Sequence, residues 1–170
     1  MILCAMSILL NVLNRRNTRE EVVKAFRDYH AYLECVRTSL PPSAYEFASA
    51  PWHYDYSDHR CPHDSWVESF LIREPSSGNR HEVREIEILI RLLGAYHDGY
   101  LELSYAGVRS YSTVGLTGKP GIGHGDWLAD EIRLSDSNLV LHEILFSRGS
   151  RWVIESRDIQ FRWIQSSPSS

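Results

Sequence analysis

Apolar residues first fall into order between positions 22 and 36. Val22, Phe26, Tyr29, Leu33 and Val36 recur at steps of four and three, which makes one apolar stripe along a helix. Thr18 opens that helix: its hydroxyl is placed to accept from the backbone of Glu21, whose carboxylate reaches back, a reciprocal capping box. Ser39-Leu40-Pro41-Pro42 stops it, because proline removes a donor and restricts the residue before it, so the predicted helix covers 18–40.

From Ser65 onward the period changes to two. Ile86, Ile88, Ile90 and Leu92 alternate with Glu85, Glu87 and Arg91, and Leu101, Leu103 and Tyr105 resume after the break from Gly94 to Gly99. These two runs predict a hairpin. A second is predicted where Leu139, Leu141 and Leu145 lead through Ser147-Arg148-Gly149-Ser150 to Trp152 and Ile154. Trp66 to Arg73, Val108 to Val114, Trp127 to Leu134 and Ile159 to Ile164 are further strands. Connections this short join antiparallel neighbours, since parallel strands need a long crossover. The expected fold is α+β: an N-terminal helix packed on a largely antiparallel, strongly twisted β-sheet. One domain spans 1–170, with an apolar segment at 1–17, the helix at 18–40 and a β-rich region at 52–165.

Composition changes this picture little. A chain of 170 residues, 43% hydrophobic and 24% charged, buries a core without help from metal or disulfide. A net charge of −4 argues against a partner with a phosphate backbone, so no nucleic acid is expected. Cys4, Cys35 and Cys61 have no paired spacing and read as reduced thiols of a cytoplasmic protein. The apolar run from Met1 to Leu13 is too short to cross a bilayer, and Arg15 and Arg16 follow rather than precede it. It reads as a packing helix, with no membrane partner expected.

Candidate chemistry concentrates between Trp52 and Trp66. His53, Asp55, Asp58, His59, Cys61, His63 and Asp64 are donors of the kinds that zinc or iron requires. Their spacing matches no helical His pair and no cysteine knuckle, and His97, His124 and His142 are further candidates by type alone. The plainer account is a loop that covers one end of the sheet, with its rings packed and its polar groups hydrogen-bonded. No cofactor and no catalytic set are expected. His63-Asp64 and His97-Asp98 invite an acid–base reading, but neighbours on a strand point to opposite faces. Gly115 to Gly125 fails both phosphate-loop patterns, because Lys119 precedes Pro120 and Gly123 is followed by Gly125; its length still suits a recognition loop. Of the five tryptophans, Trp52 alone lies outside a strand segment, so its exposure is the informative one.

From His63 onward the chain resembles a loose set of small bacterial domains, some of them immunity-type proteins found beside secreted toxins. The features that carry this are His63-Asp64-Ser65 opening a strand, Leu101-Glu102-Leu103, Asp130-Glu131, and the closing segment from His142 to Trp163. The resemblance implies a non-enzymatic protein-binding domain, with a cognate toxin as partner and no catalytic residues. Trp52, Asp55, Asp58, His63 and Asp64 are its expected contact residues, the acidic ones facing a basic surface. A metal-dependent hydrolase built on loop 53–64 is the alternative, and a structural or oligomeric module that pairs strand edges is a third.

Overall fold

The computed structural model describes residues 7–115 and 123–166. Three helices precede the sheet: α1 (Leu10–Leu13), α2 (Arg19–Val36) and α3 (Pro42–Ser49). The capping box forms as expected, with the Glu21 amide donating to Thr18 Oγ1 at 3.2 Å and the Thr18 amide donating to the Glu21 carboxylate at 2.7 Å. The expected helix over 18–40 is too long. Its last helical residue is Val36, a turn closed by the Ser39 and Leu40 amides on the Val36 carbonyl follows, and the prolines open α3, where Pro42 takes the first helical position and its missing N–H costs nothing. On α2 the buried residues are Ala25, Tyr29, Leu33 and Val36, while Val22 and Phe26 stay half-exposed at the rim.

The eight strands are β1 (Trp66–Arg73), β2 (Ser76–Ser77), β3 (Val83–Arg84), β4 (Ile86–Leu93), β5 (Gly99–Val114), β6 (Trp127–Leu134), β7 (Val140–Phe146) and β8 (Arg151–Gln165). Six make one antiparallel sheet in the order β1-β4-β5-β8-β7-β6, and β2 and β3 form a small separate ribbon. Both predicted hairpins are present. Two expected strand pairs are fused, however: Leu101–Tyr105 and Val108–Val114 belong to β5, and Trp152–Ile154 and Ile159–Ile164 belong to β8. A register shift between Val108 and Ser110 hides this continuity, because a bulge resets the alternation. Gly107, at φ +59, lies within a second shift, between the Ile86–Val108 and Ile88–Tyr105 pairs, and a Cβ there would lie 2.3 Å from the Arg157 guanidinium.

One face of the sheet carries Ile88, Ile90, Leu92, Leu101, Leu103, Ile132, Val140, Ile144, Ile154 and Ile159, all buried against the helices in one core with Tyr29, Leu33 and Phe47. Each such side chain contributes about 1.5–3 kcal/mol. The outer edge of β6 is satisfied by tyrosine hydroxyls. Tyr29 accepts from the Ile132 amide at 2.8 Å and donates to its carbonyl at 3.1 Å. Tyr32 accepts from Leu134 N, and Tyr54 donates to the Asp130 carbonyl, so alternate edge residues 130, 132 and 134 all have partners.

The sheet also curls until its two outer strands meet. Asp64 N donates to Trp127 O and Trp127 N to Ser65 O, both at 2.9 Å, which ties the start of β1 to the start of β6. Over the same outer strand, the amides of Ile8, Leu9 and Leu10 donate to the buried Glu131 carboxylate. That is why residues 7–13 dock as a short helix rather than trailing. No helix among the described residues is long and apolar enough to cross a membrane.

Candidate functional site

Two places hold the residues that sequence singled out: a buried polar cluster inside the sheet, and the surface around loop 55–64. The buried cluster begins at His53, just after α3. Its Nδ1 lies 2.8 Å from the Phe47 carbonyl and its Nε2 lies 2.9 Å from Asp130 Oδ2. A carbonyl only accepts, so Nδ1 carries a proton. Asp130 also receives the Trp127 indole N–H at 3.0 Å and the His142 Nε2 at 2.9 Å. His142 Nδ1 in turn accepts from the Tyr105 hydroxyl at 2.7 Å.

Three N–H groups converging on one carboxylate leave it ionised. Burial alone would raise Asp130, but the His53 charge and the hydrogen bonds from both histidines hold it well below the usual carboxylate range. For His53, burial disfavours the cation, and the Asp130 charge, its hydrogen bond and the Phe47 carbonyl together outweigh this and raise it above 6.5. The result is a His53–Asp130 pair in which the charged form of each partner favours that of the other, with His142 hydrogen-bonded to the same carboxylate. Every nitrogen and carboxylate oxygen in it is matched.

No member of the cluster is more than 1% exposed. Its acid and base groups therefore face one another and not a substrate, and what they do is hold α3, the loop and β6 in register. Cys61 belongs to the same layer: its thiol donates to the His53 carbonyl at 3.0 Å, and burial pushes it up to about 12, far from a reactive thiolate. Sequence reasoning did not join Asp130 and His142 to His53. The available signal was their phase, since Asp130 alternates with Ile132 and His142 with Val140 and Ile144, all facing inward.

Trp52, expected as a contact residue, is only 8% exposed. It packs against Phe161 and Phe47, with the Arg60 guanidinium over its ring, and belongs to the core. The other four expected contacts lie at or near the surface. Asp55 is exposed and accepts from Ser57 N and Oγ, which lowers its carboxyl. Asp58 is held at about 2, chiefly by the hydrogen bonds from the Arg60 side chain. His63 and Asp64 do meet, at 3.2 Å, because Asp64 adopts φ +61 and turns the chain. His97 and Asp98 do not pair: Asp98 takes His59 Nδ1 at 2.6 Å.

Loop 55–64 and the β4–β5 turn build a continuous run of rings. Tyr56 stacks on His63 and Tyr96 on His59, each at 4.1 Å, and Trp66 meets His97 at 4.5 Å. The Tyr96 hydroxyl donates to the Tyr56 carbonyl and joins the first two pairs. Tyr56, Tyr96 and Trp66 are 55%, 50% and 48% exposed. The loop's metal-type donors are spread over separate pairs, and among the described residues no three of them converge. The Gly115 to Gly125 segment lies mostly outside the described residues.

The sequence of this chain fits no family model, and no curated protein or solved structure is significantly similar to it.

Proposed function

We propose that this chain is a non-enzymatic protein-binding domain and that its contact surface is the ring-bearing end made by loop 55–64, the β4–β5 turn and Trp66. One observation carries the reading: three large aromatic side chains are about half exposed and clustered, while the one matched acid–base set is sealed in the core. Tyrosine and tryptophan dominate contact energetics because they bury large area and keep a polar tip. The stacked histidines hold these rings in place before a partner arrives, which reduces the ordering cost of binding. Asp55, Asp58, His63 and Asp64 form the polar rim. Trp52 supports that rim from beneath.

The resemblance noted above suggests the partner class, a secreted bacterial toxin met in the cytoplasm. The test is a pull-down with the product of the adjacent gene, followed by titration of wild type and Tyr96→Ala. A loss of about 2 kcal/mol in binding, with an unchanged thermal midpoint, supports the reading. Equal affinity of both proteins removes this surface from the interface, and no captured neighbour counts against the toxin partner.

One observation favours a second reading, the oligomeric module. Beyond Ser65 the outer edge of β1 has no backbone partner among the described residues, whereas the edge of β6 is capped by tyrosines. The bulge between Val67 and Ser69 and the charges of Glu68 and Arg73 guard that edge. Light scattering that gives a dimer at micromolar concentration, reverting to monomer on Leu71→Lys, favours the module; a monomer throughout dismisses it.

A further inference from the structure

Where the two outer strands close on each other, they leave a cleft of about 400 Å³ between the start of β1, the segment before β6 and the β7–β8 turn. Trp66 and Val67 form its apolar wall, and His124, Asp126 and Arg148 supply its polar groups. That volume is of the size that takes a small organic molecule.

Trp66, Asp126 and His124 are held in place, and so is the stem of Arg148. The Trp66 indole N–H donates to Asp126 Oδ1 at 2.9 Å, which sets the plane of the ring. Asp126 is occupied a second time, by the Ser147 hydroxyl at 3.2 Å. Gly125, at φ +82, has its Cα so close to the β7–β8 turn that a Cβ would lie 2.6 Å from Arg148 Cγ. Only glycine lets the arginine stem lie against the backbone there. His124 is braced between Phe146 and Trp152, and its Nδ1 lies 3.3 Å from the Ser150 hydroxyl. Arg148 has no ion pair among the described residues. Arg60, Arg73, Arg91, Arg133, Arg151, Arg157 and Arg162 have carboxylate partners; of the arginines without one among the described residues, Arg148 is the one that lines this cleft and can meet an incoming anion there.

The geometry points to a binding site for a small planar monocarboxylate, with its ring on Trp66 and Val67 and its carboxylate on the Arg148 guanidinium. A guanidinium grips a carboxylate with two parallel hydrogen bonds. The charge of the ligand follows from the wall: Asp126 repels a second negative charge, so a dianionic phosphate is disfavoured. A cation would meet Arg148. This site adjoins the proposed protein-binding surface and has Trp66 in common with it, so Arg148→Gln tests the cleft alone and Tyr96→Ala the surface alone.

Nuclear magnetic resonance titration tests the assignment. Benzoate is the probe, with acetate, inorganic phosphate and benzylammonium in parallel, and the signals followed are the Trp66 indole N–H and the Arg148 side-chain N–H. Benzoate is expected to shift both saturably and more tightly than acetate. Arg148→Gln weakens it by about tenfold or more, as loss of a charge-assisted pair requires. Trp66→Leu also weakens it, and Tyr96→Ala, outside the cleft, leaves it unchanged. Both cleft residues are exposed, and an unchanged thermal midpoint certifies each variant as folded. No saturable shift with benzoate, or full affinity in Arg148→Gln, overturns the site. Phosphate or benzylammonium binding as tightly as benzoate overturns the assigned charge, and equal binding of acetate overturns the role of the ring.

Discussion

Asp130→Asn replaces one oxygen of the buried carboxylate with an amide and removes its charge. His53 then keeps two N–H groups in a site less than 2% exposed, facing the Phe47 carbonyl and no counter-ion. Either the imidazolium stays charged without compensation, or it gives up a proton and one hydrogen bond. Taking away one partner of a buried pair costs about 3–5 kcal/mol. The retained oxygen still accepts from Trp127 or His142, which places this variant near 3 kcal/mol. In a chain of 170 residues each kcal/mol moves the thermal midpoint by about 2–4 °C, so the midpoint falls by about 10 °C. Circular dichroism melts at pH 6 measure it. The companion variant is His53→Gln with Asp130→Asn, which removes both members of the charged pair; it regains part of the loss, since neutral replacements for a buried pair are often tolerated. A single variant within about 2 °C of wild type refutes the reasoning, because Asp130 would then not be the ion that balances His53.

The same pair dictates the pH dependence. Asp130, depressed in the folded state, stabilises fully above its ordinary value of 3.8, and this is lost as pH falls through the folded value. His53, raised in the folded state, stabilises fully below its ordinary value of 6.5, and this is lost as pH rises through the folded value. The stability difference between wild type and Asp130→Asn is therefore widest between about pH 4 and 6.5, and urea midpoints across pH 3–9 that show a constant difference would contradict it. Tyr29→Phe leaves the edge amide and carbonyl of Ile132 without their partner and costs about 1–3 kcal/mol by urea unfolding, with a null effect showing that water takes the hydroxyl's place. Reversing charge at Asp55 and Asp58 leaves the thermal midpoint within about 2 °C, since both lie at the surface, and slows association with a basic partner. Stopped-flow rates equal to wild type would take both residues out of the rim.

Helix α2 was legible because its cap and its stripe are both local signals. Helix α3 was not. Pro41-Pro42 reads as a stop, whereas α2 has already ended at Val36 and Pro42 begins the next helix, and in eight residues Ala44, Phe47 and Ala48 are too few to display a period. The long strand β5 reads in pieces because a bulge conserves pairing while it shifts phase, and sequence reports only phase; β8 does so because the polar run Glu155 to Asp158 interrupts its apolar positions. For the site the limit was different. His53 was visible as part of a donor-rich loop, but its partner lies 77 positions away, and only the curl of the sheet brings Asp130 beneath it. Trp52 was misplaced by the same curl, which folds the beginning of the loop under its own end.

That curl also links the buried pair to the exposed rings. His53 is fixed at three points: its ring to Phe47 and Asp130, and its carbonyl to the Cys61 thiol. Cys61 lies on the far side of loop 55–60, so both feet of the loop stand on one histidine. Between them Asp55 closes onto Ser57 and Asp58 onto Arg60, which uses the loop's own polar groups to shape it. Tyr56 and His59 have little freedom left, and their stacking on His63 and Tyr96 follows from where the feet are placed. The acid–base residues thus act on the surface without reaching it: they set the positions of rings they never touch. A protein that used these residues for catalysis would need to open the core to do so. One that uses them as an anchor keeps the core closed and presents a rigid, aromatic end to a partner, the arrangement in which binding energy is least spent on ordering the loop.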